Sequence, residues 1–412
     1  MKKNILISVY NMEIGGIERS LINLLESFDY NRFNIDLMVF EHSGEFMDLI
    51  PKQVNVLPEI KSYSVFRRPI KDCVKEGRII TSFIRVASKL QASVMASRLK
   101  LTEGPGYVQM QLTMKNAVKF LPKIKKKYDV AISYAWPHEI IAERVRAELK
   151  VAWIHTDYSK LEINRKIDLL QWAKFDKIVS ISKDVSKTFI SQYPSLEKKV
   201  TLMENISSPS FILKMAQSPE KGFNKGTYNI LSVGRLSFVK GYDRAVKALR
   251  ILHDRGFTNM KWYVVGYGGY REELLQLIKK SELEEHFILL GKKVNPYPYI
   301  KCCDLYVQPS RYEGKAVTVT EAMILKKPIL ITNYPTANSQ VKNGYNGMIC
   351  GHTPLEIANS IQLLFKDEKL RVKFKKNIET TPLGNTHEIE NLYSIIENKD
   401  SIRNDLLTAE VR

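Results

Sequence analysis

Cysteine is scarce in this chain, with four residues among 412, at Cys73, Cys302, Cys303 and Cys350. None of them stands in a Cys-x-x-Cys spacing, and the adjacent pair projects to two sides of any regular element. Neither a disulfide framework nor a structural zinc site is indicated, and the thiols are expected to be reduced. Long apolar runs are missing too. No hydrophobic stretch approaches the roughly 18 to 20 residues that span a bilayer. The run near the start, Ile5 to Tyr10, is broken by Asn11 and Glu13 before it reaches the length of a signal-peptide core. A cytoplasmic protein is the expectation. There is no Asp-x-Asp pair of the kind that holds a metal, no internal repeat and no low-complexity tract.

Acidic residues are the minority, 44 against 63 lysines and arginines, for a formal net charge of +19. Much of the excess sits between Lys61 and Lys127, where 16 basic residues face Asp72, Glu76 and Glu103. The same stretch carries Val65, Phe66, Ile79, Ile80, Phe83, Ile84, Val86, Leu90, Val94 and Met95. Cationic and apolar residues mixed in this way suit amphipathic helices on an anionic membrane surface, which would make the protein peripheral on the inner face of the plasma membrane. A solvated lysine-rich face is the alternative. The segment lacks the interleaved aromatic residues of a stacking platform, so no nucleic-acid partner is expected.

With 44% hydrophobic residues, a chain of this length can bury large cores, and about 100 to 200 residues per domain suggests two domains. Short apolar runs alternate with helical patterns, the mark of an α/β protein with parallel sheets covered on both faces. Strands are expected at Ile5 to Val9, Ile35 to Phe40, Asp129 to Ser133, Val151 to Ile154, Lys177 to Ile181 and Val200 to Met203. A second series comprises Asn229 to Val233, Trp262 to Val265, Phe287 to Leu290, Leu305 to Gln308 and Pro328 to Thr332. The serine, proline and glycine content of 206–227 reads as a linker between two Rossmann-like domains, 1–205 and 228–383. Residues 384–412 read as a terminal helix, for which packing back on the N-terminal domain is one arrangement. Two such lobes would hold a ligand in the cleft between them, at the carboxyl ends of their strands.

Three stretches carry candidate chemistry. Gly15 and Gly16 stand between the first strand and an amphipathic helix, where glycine lets the backbone approach an anion at the helix amino end, although the same dipeptide serves simple turn chemistry. In Gly234-Arg235-Leu236-Ser237-Phe238-Val239-Lys240-Gly241, two cations five positions apart on a strand-to-helix loop suit a diphosphate, or else are plain surface cations. The longest stretch runs from Gln308 to Thr332. In it Glu313 lies in the loop after a strand and Glu321 about a turn into the next helix. At about 1.5 Å of rise per residue the two carboxylates are too far apart to share a proton but suit two parts of one elongated ligand. The amides of Gly314, Lys315, Ala316, Val317 and Thr318 at the helix start would face phosphates between them.

Arg-Tyr-Glu-Gly, seven residues between two glutamates, Glu-Ala-Met, Lys-Pro and a strand resemble the signature of retaining glycosyltransferase family four, on the two-domain GT-B fold. Gly15-Gly16, Val-Gly-Arg-Leu with Lys240-Gly241, and Asn343-Gly344-Tyr345-Asn346-Gly347 fall in the matching order, so the resemblance covers roughly residues 1 to 365. It implies transfer of a sugar from a nucleoside diphosphate, UDP by family frequency, to a glycan or lipid-linked acceptor held by the N-terminal domain. No metal or other cofactor is implied. Arg235 and Lys240, with Gly234 beside them, are similar to the diphosphate ligands, Glu321 to the ribose ligand and Glu313 to the residue holding the transferred sugar. Gly15 and Gly16 would close over the donor, and His155, in Trp153-Ile154-His155-Thr156-Asp157, resembles the cleft histidine of such enzymes. A lone histidine after a strand also serves structure. Lys315 and Ala316 depart from the residues common after Glu-Gly. Within the family, the run from Glu313 to Ala322 resembles enzymes of capsule, exopolysaccharide or wall-polymer assembly. Other readings are a nucleotide-sugar epimerase or phosphorylase on the same fold, a non-catalytic scaffold, and a polyanion-binding protein.

Overall fold

The computed structural model describes residues 2–99, 101, 104–219, 223, 226–313 and 316–397. The chain divides into two compact units. The first comprises Met1–Ile206 and the segment that begins at Thr386, and the second comprises Ser207–Asn385.

Among the described residues the first unit is built on a seven-stranded sheet of β1 (Lys3–Val9), β2 (Phe33–Val39), β3 (Asn55–Val56), β4 (Lys127–Ser133), β5 (Arg146–Ile154), β6 (Lys177–Ser180) and β7 (Val200–Leu202). Their spatial order is β3-β2-β1-β4-β5-β6-β7. The second unit has six strands: β8 (Tyr228–Val233), β9 (Met260–Val265), β10 (Phe287–Gly291), β11 (Leu305–Gln308), β12 (Ile329–Thr332) and β13 (Met348–Cys350). Their order is β10-β9-β8-β11-β12-β13. Neighbouring strands pair in parallel throughout, with Ile5 opposite both Ile35 and Val130 in the first sheet and Ile230 opposite Trp262 and Leu305 in the second.

Parallel strands covered on both faces must be apolar on both sides. Ile5, Leu6, Ile7 and Val9 of β1 are accordingly all buried, as are Ile230, Leu231 and Val233 of β8. In each sheet the strand order reverses once, between β1 and β4 and between β8 and β11. Such switch points leave a crevice beyond the carboxyl ends of the strands, the usual ligand position in open α/β sheets.

The structure departs from the expected elements at two short strands and within the expected linker. The short strands β3 and β13 give too little periodic signal to be read from sequence. Part of 206–227, read as linker, is the helix Pro209–Met215, whose start is capped by the Ser208 side chain with Pro209 in its first turn. Phe211 and Ile212 anchor it by burial. At the end of the chain the helix Ile389–Glu397 belongs to the first unit. Its Tyr393 ring lies 4.9 Å from that of Phe33, and its hydroxyl accepts a 2.7 Å hydrogen bond from the amide of Asp29. The rest of the expected terminal helix, 398–412, lies outside the described residues.

Candidate active site

At the carboxyl end of β8 the chain passes through Gly234 and Arg235 to a short 3-10 turn, Phe238–Lys240, and then into helix Tyr242–Asp254. Gly241 joins turn to helix with a φ of 70°. A Cβ at this position would fall 2.1 Å from the carbonyl oxygen of Pro309, so glycine is required both by backbone conformation and by space. The loop after β8 therefore lies directly on the loop after β11.

Arg311 clamps the two loops together. Its amide donates to Val239 O at 2.7 Å, and its guanidinium donates one 2.7 Å hydrogen bond to each oxygen of Asp243. It also stacks 3.7 Å above the Phe238 ring. Burial alone would raise the Asp243 carboxyl, but the hydrogen bonds and charge of Arg311 outweigh it and hold the group below its ordinary value.

Within this frame the Lys240 ammonium donates to Glu313 Oε1 at 2.7 Å. The same oxygen accepts from Gln308 Nε2 at 2.9 Å and from Ser310 Oγ at 2.5 Å. Three donors converge on one atom of a buried carboxylate, which fixes its rotamer. Gln308 in turn accepts from the Tyr306 hydroxyl at 2.8 Å and from Thr318 Oγ1 at 3.4 Å, tying Glu313 to the start of helix Val317–Ile324. Thr336 Oγ1 donates to the Glu313 carbonyl at 2.9 Å.

Gly234 keeps the floor of this cluster open, because a Cβ on it would meet Tyr242 Oη at 2.9 Å and Lys240 Cε at 3.4 Å. That tyrosine hydroxyl is buried without a hydrogen-bond partner among the described residues, and a buried polar group in that state calls for water or ligand. Arg235, on the same loop, is exposed. Glu321 is buried within helix Val317–Ile324 and accepts from the Tyr297 hydroxyl at 3.0 Å.

Ala316, the residue before that helix, exchanges two hydrogen bonds with the Gln340 amide: its N–H donates at 2.9 Å and its carbonyl accepts at 3.0 Å. Its amide is thus engaged by protein rather than left open like that of an unoccupied anion site. Val317 and Thr318 begin the helix. Gly314 and Lys315, expected to contribute to the same site, lie outside the described residues.

Gly15, Gly16 and His155 belong to the first unit. Gly15 precedes helix Gly16–Glu26 in an extended conformation. Its Cβ position is 2.1 Å from Glu18 Oε2, so the Glu18 carboxyl folds over the helix amino end, where burial raises its pKa. An anion approaching Gly15 and Gly16 would have to displace or protonate that carboxyl.

His155 Nε2 lies 2.8 Å from the Tyr134 carbonyl oxygen, a contact that needs Nε2 protonated and leaves Nδ1 as the acceptor. Burial lowers its pKa to about 4, so the imidazole is neutral at physiological pH. It lines a cavity of about 250 Å³ together with Trp136, Trp153, Glu139, Asp168 and Gln171. Asp168 is saturated with donors, from Gln111 at 3.1 Å, Trp172 at 3.0 Å and Tyr193 at 2.7 Å. Glu139 differs: burial pushes its carboxyl up to about 7, with the Asp168 charge adding to the effect. Glu139 Oε2 and Gln171 Nε2 are buried without partners among the described residues.

Residues 214–381 match the family model described as glycosyl transferases group 1. Every second-unit candidate described above, from Gly234 to Glu321, lies inside the matched residues. The chain is 26% identical over 184 residues to an uncharacterized glycosyltransferase of Methanocaldococcus jannaschii, covering 43% of this chain and 45% of the relative. It is 24% identical over 232 residues to the N-acetylgalactosamine-N,N'-diacetylbacillosaminyl-diphospho-undecaprenol 4-alpha-N-acetylgalactosaminyltransferase of Campylobacter jejuni, covering 56% and 61%. The chain thus spans about half the length of the curated relatives it matches. A crystal structure of Anabaena HepE with UDP and glucose aligns with a TM-score of 0.59 at 17% identity over 99% of each chain. This likeness, with the two parallel sheets, shows the GT-B fold of two Rossmann-like units.

Of the candidates named from sequence, the structure brings Lys240 and Glu313 together and places Glu321 at a separate buried position. The hydrogen bonds that Gln308, Ser310, Tyr297 and Gln340 make to them and to Ala316, and the partnerless polar atoms of Glu139 and Gln171 in the first unit, were not foreseen. Gln308 and Ser310 left a signal, being polar residues at the end of the buried apolar run of β11. Among the described residues no group of three or more His, Cys, Asp or Glu side chains is placed to hold a metal ion, and no helix is long and apolar enough to cross a membrane.

Proposed function

We propose that the chain is a retaining glycosyltransferase that moves a sugar from a nucleoside-diphosphate sugar, with UDP as the carrier, to a lipid-linked glycan or a capsule or wall polymer. The convergence of Lys240, Gln308 and Ser310 on one oxygen of Glu313, at the switch point of the second sheet, carries this reading. In it Glu313 holds hydroxyls of the transferred sugar and Glu321 the ribose. Arg235 and Lys240 neutralise the diphosphate in place of a metal ion, with Gly234 and the start of helix Val317–Ile324 beside it. The bond between the anomeric carbon and the diphosphate oxygen breaks as the acceptor oxygen bonds to the same face of that carbon. The acceptor proton passes to the leaving phosphate oxygen. Preorganised donors aimed at developing charge account for the acceleration without a side-chain nucleophile.

The first-unit cavity supplies the acceptor site, with aromatic walls for a sugar face, Glu139 and Gln171 for its hydroxyls, and Nδ1 of neutral His155 as an acceptor. The Campylobacter relative acts on a diphospho-undecaprenol-linked saccharide, which supports a lipid-linked acceptor. The basic segment 61–127 then meets an anionic membrane surface, as a peripheral protein on the cytoplasmic side would.

A thermal-unfolding screen against UDP, GDP, ADP, dTDP, CDP and NAD tests the donor reading. A nucleotide at a hundred times its dissociation constant stabilises by about 2.7 kcal/mol. A shift with one nucleoside diphosphate that is lost in Glu321→Ala is the expected result. Equal shifts with all of them, or none, would overturn it.

A further inference from the structure

Helix Ile79–Leu99 is inside out. Ile79, Phe83, Val86, Leu90 and Val94 recur at steps of four, three, four and four, and so form one stripe along the helix. They are 45% to 73% exposed. The opposite face, which packs into the unit, is small or polar: Ser82, Arg85, Ser88, Ala92 and Ala96 are each 9% exposed or less. Arg85 even turns inward to donate to the carbonyl oxygen of Val65 at 2.6 Å. A helix of a soluble domain normally hides its large apolar side chains and shows its charges. Here that order is reversed over four turns.

The charges around the stripe identify what covers it. The helix has no acidic residue, its own Lys89 and Arg98 are exposed, and so are Lys71 and Lys75 on the short helix before it. Glu76 nearby is already engaged by Arg68 and Arg78. A second copy of the same cationic face would be repelled, whereas an anionic lipid surface offers an apolar layer beneath a negative one.

The inner face leads towards the cavity. Ala92 packs with Val108 and Leu112 of helix Gly106–Ala117, and Tyr107, Met110 and Gln111 of that second helix line the cavity.

We propose that helix Ile79–Leu99 is a membrane-docking element whose apolar stripe enters the interface of an anionic bilayer, with its partner helix joining the docked surface to the wall of the cavity. The inference rests on the reading that segment 61–127 meets a membrane, and adds which residues enter it and how. Insertion and adsorption differ in their response to salt. Cations held only by lipid charge let go as the Debye length shrinks, whereas inserted phenylalanine and leucine do not.

The test is co-sedimentation of the full chain with vesicles of phosphatidylcholine, alone or mixed with phosphatidylglycerol, at low and high salt. Wild type should bind the mixed vesicles and retain part of that binding at high salt. Phe83→Glu/Leu90→Glu should bind at least about tenfold more weakly with an unchanged unfolding transition, both positions being exposed. Leu90→Trp should keep binding, with a blue-shifted emission on the mixed vesicles. Wild-type binding that the double glutamate variant retains would overturn the role of this helix and leave the membrane reading standing. No wild-type binding to either vesicle would overturn both. A wild-type dimer that the double variant converts to monomer would overturn the proposal in favour of a second copy as the occupant.

Discussion

Glu313→Gln separates two roles that one hydrogen bond now couples. The Lys240 ammonium is engaged by Glu313 Oε1 at 2.7 Å, and a diphosphate must compete with that carboxylate for it. A hydrogen bond to a charged group is worth about 1.5–3 kcal/mol net. The Lys240 side chain retains 22% exposure, and Gln308 and Ser310 still satisfy the oxygen, so the competition is set at about 1 kcal/mol after screening. Glutamine keeps the volume and an acceptor but drops the charge. UDP should therefore bind about fivefold more tightly to the variant. Turnover should fall by about 10² to 10³, the scale for loss of one preorganised electrostatic group. Calorimetric titration with UDP, beside a transfer assay with the donor sugar found by the nucleotide screen, measures both. Unchanged or weaker UDP binding would refute the competition, and intact turnover would refute the role of Glu313 in holding the sugar.

Arg235→Ala should lower turnover by about 10² to 10³ and leave the melting temperature in place, since the side chain is exposed; unfolding and steady-state kinetics together check this. Arg311→Ala should cost about 2 kcal/mol, because Asp243 loses both of its hydrogen bonds from the guanidinium, and denaturant titration reads that loss. Glu139→Gln tests the raised carboxyl. Its folded pKa of about 7 stands above the ordinary 4.5, so its contribution to stability is present below about pH 4.5 and lost as pH rises through 7. The variant should match wild type at pH 4 and exceed it at pH 8 by up to about 3 kcal/mol, measured as unfolding free energy across that range.

Much of this architecture could be read from the sequence because parallel strands buried on both faces are written as short, nearly continuous apolar runs. Runs such as Ile5 to Val9 and Leu305 to Gln308 coincide with strands for this reason. β3, two residues long, and β13, three residues long, carry no such pattern. The helix Pro209–Met215 hid behind a Ser-Pro pair that signals a turn and a helix start equally well. At the site, Lys240 and Glu313 were legible because their residue types sit on strand-end loops. Their direct pairing was not, since it depends on how two loops separated by more than seventy residues meet. Glu139 and Gln171 were invisible for a related reason: a buried polar side chain looks like a surface one until packing shows what surrounds it. The exposed stripe of helix Ile79–Leu99 was half legible. Its composition suggested amphipathicity, but only the fold shows which face is turned outward.

The seam between the loops after β8 and β11 limits how this site can be altered. Gly241 rests on Pro309, Arg311 grips Asp243 and Thr336 holds the Glu313 carbonyl, so the segment bearing Ser310 and Glu313 is held at both ends. One residue added or removed between Gln308 and Glu313 would pull the carboxylate away from its three donors. Variation in donor preference must then come from exchanging side chains on a mount of constant length, and chimaeras that graft this loop alone from a relative should fail unless the loop carrying Lys240 and Gly241 travels with it.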